Sequence, residues 1–487
     1  MRIDAITLEE LPGKRRVAAS VEWEDADRPS LGLFAETDAD RREGFWPDPN
    51  AFLTACALPA WHAGERRVFI DGELCPVLHD RIAIVFATLQ TWYPELGPPP
   101  TIEAKRYRAH SPLGRQAASY LSCGIDSLAI LQMNRVQYPS QHPSSIKAVL
   151  CVDFLQEHNL AKDETAHQAQ KRLASARTVA SDAGVDAIPV TTNVLELDPD
   201  GNFFSFKWHG AALLFIGHLF SQRFHKVSLA STYDAAHLEP WGSHPLLDPY
   251  YGSAHLEIEH AGLHLSRLEK TRLVADWPVA LDHMLVCQGQ RSGDTNCGAC
   301  EKCIRTMTAL VALRRLDDSR AFPSSDVTPA LLETVREYEM IYNDSQAAFY
   351  GELLQPLRDS GREDLAVVVD SILRSYHSRH RSDCEPTATP AGPVPDAHRF
   401  ILADDQRYGL DVLPSHGGRY WGQPADAQTA VREIEALRRA GADFMIFRPQ
   451  TYWWLNYFTA LNEHLRLHYT CRSETDQFIV FDLRERR

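Results

Sequence analysis

The sequence has no apolar stretch long enough to cross a bilayer. Its most apolar segment, Ala211–Phe220, spans about ten residues, whereas a transmembrane helix needs roughly 20. The first residues, MRIDAITLEELPGKRR, carry acidic side chains where a secretory signal would have its apolar core. We therefore expect a cytoplasmic protein with no membrane partner.

A surplus of positive charge is also lacking. The 487 residues include 65 acidic and 50 basic side chains, which gives a formal net charge of −15. Proteins that hold nucleic acid by its phosphates usually present a basic surface. The composition therefore argues against a nucleic-acid partner, although an acidic total can conceal a local basic groove.

Two common phosphate-binding fingerprints, G-x-x-x-x-G-K-[ST] and G-x-G-x-x-G, are absent. A disulfide framework is not indicated either. Of the ten cysteines, four crowd into residues 287–303 and the others are scattered along the chain. This distribution is typical of a metal site plus buried thiols in a reducing compartment.

The first 108 residues are predicted to form a mostly-β accessory domain. Alternating apolar and polar residues at 16–23 and 67–71 indicate strands, and 81–93 indicates one helix. Pro94 and the run Gly97-Pro98-Pro99-Pro100 end that helix. No chemistry is evident in this region.

Residues 109–376 alternate between strand and helix patterns, which predicts an α/β domain with a Rossmann-like, doubly wound parallel sheet. Residues 377–397 are rich in proline, alanine and threonine and are predicted to be a linker, and 398–487 a small α/β domain. In the central domain we predict strands at 117–121, 146–154, 186–192 and 226–231, and helices from Ser127 and at 167–183 and 208–224.

A turn of small residues follows the strand 117–121 and opens a helix. Such a turn lets backbone N–H groups approach an anion, and the helix N-terminus adds a positive dipole end. Hydroxyl groups can donate to the anion, and the aspartate can cap the helix or organise the turn. We expect Cys123 to adopt an ordinary negative φ. A capped turn without a ligand is the alternative. The candidate binding residues are Ser122, Cys123, Gly124, Ile125, Asp126 and Ser127.

Four cysteines are spaced as C-x9-C-x2-C-x2-C. Zinc prefers four tetrahedral N or S ligands, and four thiolates form a closed structural site. Gly298 permits a tight knuckle, and Lys302 or Arg305 can offset the thiolate charge. An iron–sulfur cluster would use the same ligands, and buried thiols are the simplest alternative. The proposed ligands are Cys287, Cys297, Cys300 and Cys303.

The turn resembles the Ser-Gly-Gly-x-Asp-Ser signature of the PP-loop (ATP-pyrophosphatase) superfamily, with Cys123 at a glycine position of that signature. Together with the cysteine spacing, it resembles 7-cyano-7-deazaguanine synthases over about residues 112–315, with Cys287 one residue further upstream than in that pattern. The resemblance implies a PP-loop fold, ATP, Mg²⁺, structural Zn²⁺, and a ligase-like enzyme. Such an enzyme activates a carboxylate or amide of a small acid or modified base for attack by ammonia.

Three further residues are candidates for the site. Asp248 resembles the acidic residue of the synthases' Pro-Asp segment, and Lys270 their serine-then-lysine helix start, where Ser266 and Glu269 predict a capping box. Lys270 could neutralise a pyrophosphate leaving group. Asp153 ends a predicted strand, where adenine- or ribose-contacting groups often lie. We thus assign catalytic roles to Asp126, Asp248 and Lys270. A turn-stabilising aspartate and a solvated basic face are the simpler alternatives.

Two other functions stay open. One is a PP-loop enzyme that transfers sulfur, for which Cys123 is suggestive, and the other is a degenerate nucleotide-binding or assembly module. The flanking domains are candidates for contact with a protein partner, and the sequence does not fix the oligomeric state. Five histidines that might suggest further metal sites are predicted to be exposed. They are His255, His260, His264, His377 and His380.

Overall fold

The computed structural model describes most of the chain. The described residues are 1–109, 116–155, 162–287, 296–381, 400–403, 410–412, 418–421, 424, 427–439, 441–447, 451–475 and 478–484. Their contacts define two compact units, residues 1–335 with 343–373 and residues 336–342 with 374–487. Most of the predicted linker and Cys384 lie outside the described residues.

The secondary structure up to residue 381 alternates between strands and helices. The strands are β1 (Arg2–Leu11), β2 (Lys14–Glu22), β3 (Leu31–Asp38), β4 (Arg67–Leu74), β5 (Thr101–Tyr107), β6 (Gln116–Tyr120), β7 (Ile146–Phe154), β8 (Asp186–Thr192), β9 (Phe224–Ala230) and β10 (Glu257–Ala261). The helices are α1 (Pro49–His62), α2 (Pro76–Trp92), α3 (Ile125–Gln137), α4 (Lys162–Ala183), α5 (Gly201–Phe203), α6 (His209–Leu219), α7 (Arg267–Ala275), α8 (Pro278–His283), α9 (Glu301–Ala312), α10 (Pro329–Glu337), α11 (Asp344–Gly351), α12 (Leu354–Asp359) and α13 (Glu363–Arg381).

All ten of these strands belong to one sheet, in the order β10-β9-β6-β7-β8-β3-β2-β1-β4-β5. The strands from β10 to β8 are parallel to one another, as are β1, β4 and β5. The pairs β8–β3, β3–β2 and β2–β1 are antiparallel. The predicted α/β class is confirmed as a large, mostly parallel sheet with helices, which is compatible with a Rossmann-like fold.

The strands of residues 1–108, which were predicted to belong to a mostly-β accessory domain, do not form a sheet of their own. The β3 residues Ala35, Glu36 and Thr37 pair with β8, which joins the N-terminal strands directly to the parallel strands. The predicted boundary also crosses a shared core, because Phe52 of α1 packs against Phe215 of α6 with ring centroids 5.5 Å apart.

Helix α1 was missed by the sequence prediction, and its burial explains why. From Asn50 to Trp61 every residue is buried, so the helix has no polar face to reveal a helical period. Asp48 accepts a hydrogen bond from the backbone N–H of Asn50, and Pro49 occupies the first helical position, where it needs no donor.

Unit 2 contains its own six-stranded sheet, in the order β12-β13-β11-β14-β16-β15, and a separate core. A small α/β fold was predicted here, and Trp454 and Phe458 are buried as expected, whereas Tyr457 is exposed. The elements are β11 (Phe400–Ala403), β12 (Leu410–Val412), β13 (Gly418–Trp421), α14 (Ala427–Arg439), β14 (Phe444–Phe447), α15 (Tyr452–Tyr457), α16 (Thr459–His468), β15 (Thr470–Glu474) and β16 (Ile479–Asp482). Among the described helices of the chain, none is both long and apolar enough to cross a membrane.

Candidate functional site

The small-residue turn connects the end of β6 to the start of α3. Gly124 is the N-cap of α3 and has extended backbone angles. As a glycine it has no side chain that could cap the helix. The first N–H groups of a helix have no intrahelical acceptor, so this end of α3 presents donors. Ser122 is exposed, and its Oγ lies 3.3 Å from Ser127 Oγ and 3.3 Å from the Gly124 nitrogen. The turn therefore gathers hydroxyl and N–H groups at one helix N-terminus.

Cys123 has a φ of 60°, so the expected negative φ is wrong. This left-handed conformation costs a non-glycine residue about 1–2 kcal/mol because its Cβ crowds the carbonyl oxygen. The side chain is fully buried, and burial raises the pKa of the thiol well above its usual range. The Cys123 carbonyl accepts a 2.8 Å hydrogen bond from the Leu285 nitrogen, which ties the turn to the segment before the cysteine cluster.

Asp126 is held by cations from α7. Arg267 Nη1 lies 2.8 Å and 2.7 Å from the two carboxylate oxygens, and Lys270 Nζ lies 3.7 Å from one of them. Asp126 makes no side-chain cap to α3, so it organises the turn through this ion pair. The structure thus brings two predicted site residues, Asp126 and Lys270, together across 144 positions of sequence.

The start of α7 forms the predicted capping box. Ser266 accepts from the Glu269 nitrogen, and Glu269 accepts from the Ser266 nitrogen at 2.8 Å. Lys270 is fully buried, which excludes the solvated-face alternative, and its Nζ donates to the Ser231 carbonyl at 2.7 Å just beyond β9. Burial lowers the pKa of Lys270, while the nearby Asp126 carboxylate opposes that shift.

A third segment, α11 and the residues after it, supports α7 and was not predicted to take part. Glu352 accepts a 2.8 Å hydrogen bond from the Leu268 nitrogen, and burial raises the pKa of its carboxyl group. The Phe349 ring lies under the guanidinium of Arg305 at 4.7 Å and 5.9 Å from that of Arg267. Only side-chain contacts between distant segments identify these residues, and a single sequence carries no signal for them.

The four predicted ligands converge on one point. Their Sγ atoms all lie within 4.8 Å of one another, with individual separations of 3.4 Å (Cys300 to Cys303), 3.7 Å (Cys297 to Cys303) and 3.9 Å (Cys287 to Cys300). Four sulfurs placed about 2.3 Å from one tetrahedral zinc would be about 3.8 Å apart. The four sulfurs are therefore spaced to hold one metal ion through four thiolates. The described cysteines form no disulfide.

Gly298 and Asn296 shape the cysteine cluster. Gly298 has φ 72°, and a Cβ there would lie 2.8 Å from Pro323 Cγ, so the knuckle requires glycine as predicted. The Ala299 and Cys300 nitrogens point at Cys297 Sγ at 3.4 Å and 3.3 Å. Asn296 is buried, and its Oδ1 accepts from the Cys287 nitrogen at 3.0 Å, which fixes the distant fourth ligand beside the knuckle. The sequence analysis missed this residue.

Asp248 is fully buried and has a set of partners of its own. Its carboxylate accepts from Ser243 Oγ at 2.6 Å and contacts His260 Nδ1 at 2.7 Å, with a longer contact of 3.3 Å from the His244 nitrogen. These hydrogen bonds do not involve the Asp126 group. Burial lowers the pKa of His209, and the negative charge of Asp248 partly offsets that shift. The arrangement is that of a structural carboxylate that organises the loop after β9, and its predicted catalytic role stays a prediction.

Asp153 lies near the carboxyl end of β7 and pairs with Arg172 of α4 at 2.8 Å. The prediction of exposed histidines is correct for His264 and His377 and wrong for His255 and His260. The His260 side chain is 4% exposed and contacts Asp248, and His255 lies 3.4 Å from the fully buried Asp48. The side chain of His380 lies outside the described residues.

Protein-family models, curated proteins and solved structures all give no match to this chain.

The geometry supports one kind of chemistry most directly. The N–H groups at the start of α3 and the nearby hydroxyls can bind an oxyanion, although the Ser127 hydroxyl also donates to the Gly124 carbonyl at 3.0 Å. Cations beside this turn can stabilise negative charge that develops during a reaction. Arg267 and Lys270 supply those cations from α7, and the cysteine cluster is joined to the same turn through Leu285.

Proposed function

We propose that this chain is an ATP-dependent, ligase-like enzyme of the PP-loop superfamily. It activates a carboxylate or amide by adenylation, and ammonia then displaces the activated group, as in 7-cyano-7-deazaguanine synthases. The observation that carries the proposal is the turn Ser122–Ser127 at the N-terminus of α3, with Arg267 and Lys270 beside it.

In this proposal the turn binds the phosphates of ATP through its N–H groups and the hydroxyls of Ser122 and Ser127. The substrate oxygen attacks the α-phosphorus, and the bond to the leaving pyrophosphate breaks. Arg267 and Lys270 stabilise the charge that accumulates on that leaving group. Mg²⁺, when bound with ATP, would balance phosphate charge, and Asp126 is the carboxylate on the turn able to face it.

Zinc has a structural role in this proposal. A closed set of four thiolates leaves no coordination position for a substrate. The cluster would instead hold the segment that contains Leu285 against the Cys123 carbonyl and so support the phosphate-binding turn.

The sulfur-transfer alternative receives less support from the thiols near the turn. Burial raises the pKa of the Cys123 thiol, and it raises that of Cys151 to about 12. Sulfur chemistry begins from the thiolate, which both environments disfavour. The acid-activating reaction does not need a thiolate.

The test is nucleotide turnover by the full-length, zinc-loaded protein. ATP, Mg²⁺ and ammonium are mixed with a panel of acids that includes 7-carboxy-7-deazaguanine, and AMP, ADP and pyrophosphate are followed by chromatography. We expect acid-dependent AMP and pyrophosphate release, reduced at least about 100-fold by Asp126→Asn. The exposed Asp317→Asn is the matched control.

Two outcomes would separate the alternatives. ATP binding that Asp126→Asn weakens, without turnover of any acid, would replace the enzyme with a nucleotide-binding module. No turnover, together with ATP binding that is indifferent to Asp126→Asn, would refute the proposal.

A further inference from the structure

A groove with a volume of about 510 Å³ is lined by α2 and by the segment that leads into β10. Arg81, His255 and Glu257 are among its polar lining residues, and Pro249, Leu256 and Ile258 give it an apolar wall. Sites for small organic molecules typically have volumes of about 300–1,000 Å³ and combine an apolar lining with a few polar groups. The groove is therefore large enough for a whole small molecule.

Arg81 brings a positive charge to this groove. Its Nη1 donates to the Gly252 carbonyl at 3.2 Å, which anchors the guanidinium at the groove. Among the described residues, no carboxylate forms an ion pair with Arg81. Glu257 does not fill that role, because its carboxylate lies 3.3 Å from Lys226 Nζ and its charge is offset there. The groove thus offers one permanent cation to a ligand.

Buried contacts hold the floor of the groove in place. His255 Nε2 lies 3.4 Å from the carboxylate of the fully buried Asp48, the N-cap of α1, and Asp48 also accepts from Ser221 Oγ at 2.9 Å. The Ala254 nitrogen lies 3.3 Å from the Sγ atom of Cys75, the N-cap of α2. The segment before β10 is therefore fixed to the starts of two helices, and the groove is formed without a ligand.

The groove and the candidate phosphate turn lie at opposite edges of the parallel strands. The groove includes residues at the amino end of β10, which is parallel to β9 and, through β9, to β6. The turn follows the carboxyl end of β6. Each of β6 and β10 has five residues, and a strand rises about 3.3 Å per residue, so roughly 15 Å separates the two places. A small molecule in the groove does not reach the turn.

We propose that this groove binds a small organic monocarboxylate, with the carboxylate on Arg81 and the apolar body against Pro249, Leu256 and Ile258. The planar fork of an arginine matches the two oxygens of a carboxylate. One cation without a partner favours a single negative charge over the double charge of a phosphate ester. The site is separate from the candidate nucleotide site, and it does not depend on the proposed function.

The probe is 4-phenylbutanoate, titrated by calorimetry into the full-length protein. We expect saturable binding, and binding at least about tenfold weaker for 4-phenylbutanamide, which keeps the apolar body and lacks the charge. Arg81→Gln should weaken 4-phenylbutanoate binding by a similar factor. The matched control is Arg320→Gln, which removes the same charge from an exposed position and should leave the Kd unchanged. Circular dichroism establishes that each variant is folded.

Hydrogen exchange of the wild type locates the probe even if Arg81→Gln does not fold. We expect slower exchange at 250–258 and no change at 121–128. Protection of 121–128 instead would place the carboxylate at the candidate turn, which would overturn the second site and leave the proposed function standing.

Three results of the titrations would also contradict the proposal. Equal binding of the acid and the amide, or an unchanged Kd in folded Arg81→Gln, would remove the role of Arg81. Tighter binding of 3-phenylpropyl phosphate than of 4-phenylbutanoate would overturn the carboxylate assignment. The absence of saturable wild-type binding at millimolar concentrations of 4-phenylbutanoate would overturn the site.

Discussion

Cys123 and Gly298 adopt nearly the same unusual backbone conformation in two different loops. Their φ angles are 60° and 72°. At Gly298 the conformation is free of Cβ strain, and the neighbouring Pro323 leaves no room for a side chain. At Cys123 a buried thiol occupies the position, and the strain persists.

The difference shows how two sites meet the same geometric demand. In the cysteine cluster, the left-handed residue lets backbone N–H groups face a ligand sulfur, and glycine does so without cost. In the turn, the Leu285 hydrogen bond to the Cys123 carbonyl and the burial of the thiol hold a conformation that the residue itself disfavours. Strain of this kind persists only where the surroundings over-determine it, and it is often found at functional sites.

The largest effect should come from removing one of the four ligands of the cysteine cluster. Cys300→Ser should abolish stoichiometric zinc binding and destabilise the first unit by more than about 4 kcal/mol, because metal-binding energy is also folding energy. Elemental analysis and thermal unfolding measure both effects. The scattered, half-buried Cys471→Ser is the control. Retention of zinc or of wild-type stability by Cys300→Ser would contradict a structural metal site.

Gly298→Ala should come next. The substitution combines a strained φ with a Cβ placed 2.8 Å from Pro323 Cγ, so we expect a loss of about 2–4 kcal/mol. Chemical denaturation of the zinc-loaded protein measures it. Gly13→Ala shares the positive φ but has no atom within 4 Å of the new Cβ, so it should cost less. Equal losses in both variants would mean that the contact with Pro323 contributes nothing.

At Cys123 glycine should again be more stable than alanine, because the backbone has the same positive φ. Cys123→Ala keeps the strain and loses the sulfur contacts, whereas Cys123→Gly loses the same contacts and relieves the strain. We therefore expect the glycine variant to be more stable than the alanine variant by about 1 kcal/mol. Denaturation midpoints at constant m-value give the comparison. An alanine variant that is the more stable of the two would show that Cys123 is not strained in solution.

The smallest effect concerns Glu352 and depends on pH. Burial raises the folded-state pKa of this carboxyl group, so between the unfolded and folded pKa values the folded protein binds more protons. The stability that Glu352 contributes is therefore present at low pH and is lost as pH rises through the folded pKa. As pH rises from 4.5 to 7.5, the Tm of Glu352→Gln should therefore increase relative to that of the wild type, by on the order of 1 °C. The exposed Glu363→Gln should show no such trend, and a gain toward low pH would contradict the burial effect.

The residues that the sequence identified correctly are those whose constraints are local. Three of the four cysteine ligands are close neighbours in the sequence, and Ser266 and Glu269 form their capping box within four residues. Strand β7 is a near-continuous apolar run, so its pattern is also local. Gly298 was predicted to permit the tight knuckle between the closely spaced cysteines.

What the sequence did not reveal depends on distant contacts. Asn296 stands beside Cys297, but its importance comes from hydrogen bonds to the segment before Cys287. The side chain of His260 is covered where it contacts Asp248, and Arg267 is held by Asp126. Glu352 accepts from the nitrogen of the neighbouring Leu268. The φ of Cys123 was predicted wrongly because the residue type favours negative values and the tertiary contacts prevail.

The junction between β3 and β8 limits how this chain can be divided. The pairing of Ala35–Thr37 with Val190–Thr192 closes the side of β8 that faces away from β7. A fragment that begins near residue 109 would open that edge and expose Phe215, which α1 covers in the whole chain. An open strand edge beside exposed apolar surface is a template for aggregation. The N-terminal strands thus protect the part of the chain that carries the candidate site from aggregation through this edge.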